Sequence, residues 1–272
     1  MNRLSLERQA QIISSLVEGN SIRATERMTE THRDTIMRLM VSVGEGCASL
    51  MDERMRNLTS GRIQVDEIWT YVQKKQRHMT LSDDPYRTGD QWTFVALDPD
   101  TKLIPAYRIG KRDLPTAIAF MNDLSGRLRN RVQISSDALN AYVEATERAF
   151  GMNADYGQVV KYYEAEPVGP GRYSPPHVVS AERRAISGSP DMNYVSTSFI
   201  ERQNLTMRMQ MRRFTRLTNA FSKKLENLKA AVALHFAHYN FVRIHQTLRV
   251  TPAMAAGITD HLWTVRDLLE SN

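Results

Sequence analysis

The 272-residue sequence predicts an α/β chain in which a mixed sheet is flanked by helices and preceded by an all-α unit. Three observations predict it. Residues 62–72, 91–97 and 132–136 are runs enriched in β-branched and aromatic side chains, the composition of strands. Residues 4–55, 115–128 and 138–150 carry apolar positions at helical spacing. The composition is ordinary for a globular chain, with 42% hydrophobic residues and 24% charged.

That composition also excludes several classes. A single cysteine, Cys47, rules out an internal disulfide framework and any Cys-based zinc site. No apolar run approaches the ~20 residues that a bilayer requires, and Arg, Glu and Gln interrupt the apolar positions of the first sixteen residues. The expectation is a soluble cytoplasmic protein.

Along the chain, Leu6, Ile12, Ile13, Leu16 and Val17 form one apolar stripe, and Gly19-Asn20-Ser21 supplies a stop and a new cap. A second helix is expected over 22–28. A third opens at Thr31 or His32, with Ile36, Met37, Leu39 and Met40 facing inward and His32, Arg33, Thr35 and Arg38 outward. Short helix, tight turn and polar-faced third helix are the outline of a helix-turn-helix, which places its third helix in a DNA major groove. His32, Arg33 and Arg38 are the candidate contacts. Gly44 to Gly61 reads as the helix end and a linker, so residues 1–58 form the first unit and residues 59–272 the second.

In the second unit, strands are expected at 62–72, 91–97 and 102–108, a helix at 115–128, a strand at 132–136 closing on Asp137, and a helix at 138–150. Residues 151–197, with four prolines between Pro167 and Pro176, read as an inserted segment of extended pieces and loops. A long helix then covers 198–213 and another 217–239. This order, three strands, helix, strand, helix, excursion, helix, is the plan of a ribonuclease H-like domain.

On such a sheet the chemistry lies in the middle of the first strand, at the end of the fourth, and on the helix packed against them. Each of these places holds a carboxylate: Asp66 inside an apolar strand, Asp137 immediately after one, and Glu201 in the first turn of the later helix. An unpaired carboxylate inside a buried strand is costly, which favours a functional role for Asp66. Asp137 has the alternative of capping the helix that follows it, and Glu201 that of a capping box with Ser198. Hard divalent cations take oxygen ligands and keep several waters, so two Mg²⁺ or Mn²⁺ ions could share Asp66 and take Asp137 and Glu201 as the other ligands.

The net charge of +6 lies entirely in residues 201–229, where Arg202, Arg208, Arg212, Arg213, Arg216, Lys223, Lys224 and Lys229 face only Glu201 and Glu226. On a continuous helix Glu201, Leu205, Arg208 and Arg212 share one stripe, and Ile200, Met207, Met211 and Phe214 form the adjacent apolar one. Arginines flanking a metal-binding carboxylate suit a phosphodiester substrate, so Arg208, Arg212, Arg213 and Arg216 are candidate DNA contacts. His235 and His238 lack a neighbouring third and fourth ligand and read as packing residues rather than a zinc pair.

Over most of its length the chain resembles the DDE transposases of the insertion-sequence-one family, which are integrase-related bacterial recombinases. The likeness rests on Val65-Asp66-Glu67-Ile68-Trp69, on Ser136-Asp137-Ala138-Leu139-Asn140-Ala141-Tyr142, and above all on the run from Phe199-Ile200-Glu201-Arg202-Gln203-Asn204 through Arg208 to Asn219. The resemblance implies that Asp66, Asp137 and Glu201 are the catalytic metal ligands and that Arg208 contacts transposon-end DNA. It also implies double-stranded DNA as partner and a dimer or larger assembly that joins two ends. A nuclease of the same fold, without strand transfer, is the alternative. The chain departs from the founding members in lacking a Cys-based zinc finger and in the longer excursion between Asp137 and Glu201.

Overall fold

The computed structural model describes residues 4–164, 177–215 and 219–271. Its centre is a six-stranded sheet of order β3-β2-β1-β4-β5-β6. The strands are β1 (Arg62–Val72), β2 (Gly89–Leu97), β3 (Tyr107–Gly110), β4 (Val132–Asp137), β5 (Ala154–Glu164) and β6 (His177–Ser187). β2 runs antiparallel to both β1 and β3, whereas β4 is parallel to β1 and to β5.

β1 is apolar at both parities because both of its faces are covered. Ile63 and Val65 lie in a core with Phe94, Phe120, Ile134 and Tyr142, beneath α4 (Leu114–Ser125) and α5 (Asn140–Phe150). Ile68 and Val72 point the other way, into a core shared with α3 (Arg33–Arg54), α6 (Ser198–Gln210) and α7 (Leu225–Ala237). This second core also takes Ile13 and Val17 of α1 (Leu6–Val17), so the N-terminal helices and the sheet bury their side chains together.

The helix expected over 217–239 begins only at Leu225, and four further elements differ from the sequence expectation for a visible reason. The third strand starts later, because Pro105 lacks an N–H and the Ile104 backbone pairs with the Asn240 side chain in both directions at 3.0 Å. Residues 151–197 are more than an excursion: the buried half of β5 pairs with β4 from Val132↔Ala154 to Asp137↔Val159, and β6 then extends the edge, exposed along its whole length. Gly157 permits this burial, since a Cβ there would sit 2.6 Å from Val195.

The last two differences concern helix ends. α6 stops at Gln210 instead of Arg213, because Met211 leaves helical geometry and the chain turns to bury both Met211 and Phe214. α3 runs through Gly44 and Gly46 to Arg54 instead of ending at Gly44. Gly44 lies against the α7 backbone, where an added Cβ would come within 2.2 Å of the Ala230 carbonyl oxygen. The glycine therefore serves close helix approach and does not act as a stop signal.

At the N-terminus, α1 is followed by α2 (Ile22–Thr29), and each helix is capped by a serine, Ser5 and Ser21. His32 caps α3 through its ring Nδ1, which accepts from the Asp34 backbone N–H at 3.3 Å. Gly44→Ala adds about 1 kcal/mol of helix propensity but drives a methyl group into backbone. The overlap should win, lowering the thermal midpoint. Gly61→Ala, with open space around its Cβ, should leave the midpoint near the parent value.

Candidate active site

The site is built where β1 and β4 part. Their paired register ends at Gln64↔Ser135, and Asp66 and Asp137 stand two residues further along each strand. Carboxylate oxygens of Asp66, Glu67 and Asp137 all lie within 4.8 Å of one another. Burial pushes the Asp66 carboxyl up from the ordinary 3.8 to about 7, reinforced by the charges of Glu67, Asp137 and Glu201, with the Glu67 backbone N–H opposing.

α6 clasps this face of β1. Gln64 and Asp66 share the face by the two-residue period of a strand, and both point at the helix's first turns. The Gln64 side-chain oxygen accepts from the Phe199 and Ile200 N–H groups at 3.0 and 3.1 Å, and so caps the helix from outside. Asn204 Nδ2 donates to Asp66 Oδ2 at 2.8 Å, while the buried Asn204 Oδ1 has no hydrogen-bond partner. Ser198 forms no capping box with Glu201. Thr197 is the N-cap residue, and its hydroxyl donates to the Glu201 carboxylate instead of accepting from the backbone.

Among the predicted ligands, Asp66 and Asp137 are brought together and Glu201 is set apart. Glu201 stands outside the 4.8 Å group and pairs with Lys161 of β5, although its charge still reaches Asp66. Asp137 Oδ1 also accepts from the Leu139 N–H at 3.0 Å, a local turn bond that leaves Oδ2 facing Arg112.

Glu67 was given no role by sequence reasoning. It faces α5, where Tyr142 donates to it at 3.0 Å and Arg112 at 2.7 Å. Burial and the Asp137 charge raise its carboxyl, against the pull of Arg112. Arg112 also reaches Asp137 at 3.9 Å and stacks 4.8 Å above the Trp92 ring. An all-oxygen donor set in which one carboxyl resists ionisation, beside an orphaned buried amide oxygen, fits a hard divalent cation such as Mg²⁺ or Mn²⁺.

The predicted DNA contacts do not all lie together. Arg33, Arg38 and Arg212 line one groove of about 1180 Å³ between α3 and the segment joining α6 to α7, together with Arg23, Lys223 and Lys224. Arg212 thus lies beyond the end of α6 and off the stripe that starts at Glu201. Arg213 also borders the groove, but its guanidinium is spent on Ser222 Oγ at 2.8 Å and Met40 Sδ at 3.2 Å, and burial pushes it down to about 10. Arg208 is half-buried on α6, and its carbonyl accepts from the Thr215 hydroxyl at 3.0 Å. His32 caps α3 at the surface, and Arg216 lies outside the described residues. His235 and His238 are packed in the core, where burial lowers them to about 3 and about 4.

No protein-family model matches the chain, and no curated protein matches it. Solved structures similar to it include the Mos1 transposase paired-end complex with left transposon end and the Mos1 strand transfer complex. Each is 14% identical over 57% of this chain, with a TM-score of 0.23. The matches span 60% and 59% of those chains. The mixed six-stranded sheet flanked by helices is the α/β architecture expected from the sequence. Among the described residues no helix is long and apolar enough to cross a membrane.

A carboxyl raised by burial binds its proton more tightly in the native than in the unfolded state, so stability falls as pH rises from about 4 to 7. The full shift corresponds to roughly 4 kcal/mol at most. In chelator, Asp66→Asn should therefore melt above the parent protein at pH 8 and level with it at pH 5. Equal melting at both values would show that Asp66 ionises without penalty.

Proposed function

We propose that this chain is a DNA transposase that binds the terminal inverted repeats of an insertion sequence, cleaves the ends and joins their 3′-hydroxyls to target DNA. The observation that carries the reading is the meeting of Asp66 and Asp137 at the parting of β1 and β4, with Asn204 and Glu201 of one helix packed over them. Two Mg²⁺ or Mn²⁺ ions would there activate a water or 3′-hydroxyl nucleophile and stabilise the leaving oxygen of an in-line displacement.

The protein's own groups supply position and charge. Asp66, oriented by the Asn204 amide, would be the shared ligand, and Asp137 and Glu201 would be the others. Arg112 pairs closely with the buried Glu67 and more distantly with Asp137, at 3.9 Å, so that Asp66 would be the ligand most open to a metal.

DNA is held at the far end of the same helix. From Glu201 to Gln210 at the groove of Arg33, Arg38 and Arg212, α6 rises ~14 Å, about four base-pair steps. In this reading residues 1–58 form the end-recognition unit and residues 59–272 the catalytic unit, and one duplex touches both. Joining two ends requires two sites, so the working form is a dimer or larger assembly on DNA.

With Mg²⁺ and labelled end oligonucleotides, Asp66→Asn, Asp137→Asn and Glu201→Gln should each lose more than ~100-fold of cleavage and joining. Full activity in any of them would remove that residue from the site. Cleavage without a joined product, across candidate ends, would instead support a nuclease of the same fold.

The groove gives a separate prediction. Arg38→Ala or Arg212→Ala should each lower the slope of log affinity against log salt by ~0.9 if it neutralises one phosphate. Arg213→Ala should chiefly lower the melting temperature, because its guanidinium bonds within the protein.

A further inference from the structure

The carboxylates of the site differ in the cations beside them. Glu67 is buried and held by two donors, Arg112 and Tyr142. Among the described residues, Asp66 receives the neutral Asn204 amide as its one side-chain donor and pairs with no lysine or arginine. Glu201 carries an ion pair with Lys161, and the Thr197 hydroxyl donates to the same oxygen, Oε1.

This pair is built to exchange. Lys161 sits where β5 has left the body of the sheet and pairs with β6, opposite Ala181. The two side chains are 24% and 41% exposed, so solvent screens their attraction. An ammonium on a four-carbon stem is a mobile point charge, unlike the forked guanidinium that anchors Glu67.

Resting on the transposase reading, we infer that Lys161 is the resident counter-ion of Glu201: a tethered cation that a second divalent ion must displace, and whose ammonium then passes to a DNA phosphate. Asp66 and Asp137 would hold the first ion: among the described residues no lysine or arginine pairs with Asp66, and Arg112 stands 3.9 Å from Asp137. Glu201 would take the second only once Lys161 has left, and a phosphodiester in the site would give the ammonium somewhere to go. DNA and the second ion therefore bind cooperatively, through one side chain that has two alternative anionic partners.

Mn²⁺ titration without activity measurement tests this, using the spectroscopic signal of the free aquated ion to count bound equivalents. Without DNA the parent protein should bind one equivalent tightly, with the second ~10-fold or more weaker if Lys161 covers Glu201 about nine-tenths of the time. Lys161→Met should bind two equivalents with similar affinity, and Lys161→Arg should keep the parental pattern. Adding an uncleavable duplex to the parent should bring the second equivalent up to the first.

Two similar sites in the parent without DNA, or a Lys161→Met titration identical to the parent's, would overturn the inference and leave the transposase reading standing. No Mn²⁺ binding by the folded parent would overturn the metal centre itself and with it the role of Lys161. Should Lys161→Met fail to melt cooperatively, Lys161→Gln makes the same comparison with a neutral polar group at this half-exposed position.

Discussion

Everything in the molecule is arranged around a carboxylate that occupies the middle of a two-sided strand. Asp66 belongs to a strand whose apolar neighbours feed cores on both faces, and ionising a group there is costly. The surroundings reduce that cost in specific ways. β1 and β4 cease pairing just before Asp66 and Asp137, which opens a gap at the sheet's centre, and Asn204 offers the carboxylate one hydrogen bond. Burial, reinforced by the neighbouring carboxylates, still raises the Asp66 carboxyl. A divalent ion is the natural complement to such a group.

The docking of α6 follows from the same strand. Gln64 and Asp66 are two residues apart, so they reach the same helix together, one capping its first turn and the other meeting its second. Glu201 and Asn204 are three residues apart and hence lie on one helical face. A displacement of α6 along β1 would break the cap and the Asp66 bond at once. The buried Ile200 and Met207 fix the helix's rotation, and the turn after Gln210 carries Met211 and Phe214 into the core and Arg212 into the groove.

The groove borders the place where α3 and α7 approach closely in backbone, at Gly44 and Ala230, with Glu45 and Ala231 in its lining. That contact ties the N-terminal helices to the body of the protein and turns Arg33 and Arg38 toward the basic segment after α6. Two sets of basic residues from distant parts of the chain, one on α3 and one beyond the end of α6, thereby face one space.

Much of this was legible in the sequence. The strands around Asp66 and Asp137 and the helix bearing Glu201 follow from local periodicity, because alternation in a strand and 3.6-residue spacing in a helix depend only on neighbours in the chain. The local concentration of basic charge and the exclusion of disulfides are equally properties of sequence. Tertiary structure decided the rest, since it depends on what distant residues bring. Gly44 reads as a stop until α7 lies against it, and 154–159 reads as an excursion until β4 provides a pairing edge. Arg213 looks like a phosphate contact until Ser222 and Met40 claim it. Glu67, Asn204, Gln64 and Lys161 acquired roles in the same way: each is an unremarkable polar residue by itself, and its role comes from the partner that the fold sets within hydrogen-bonding distance.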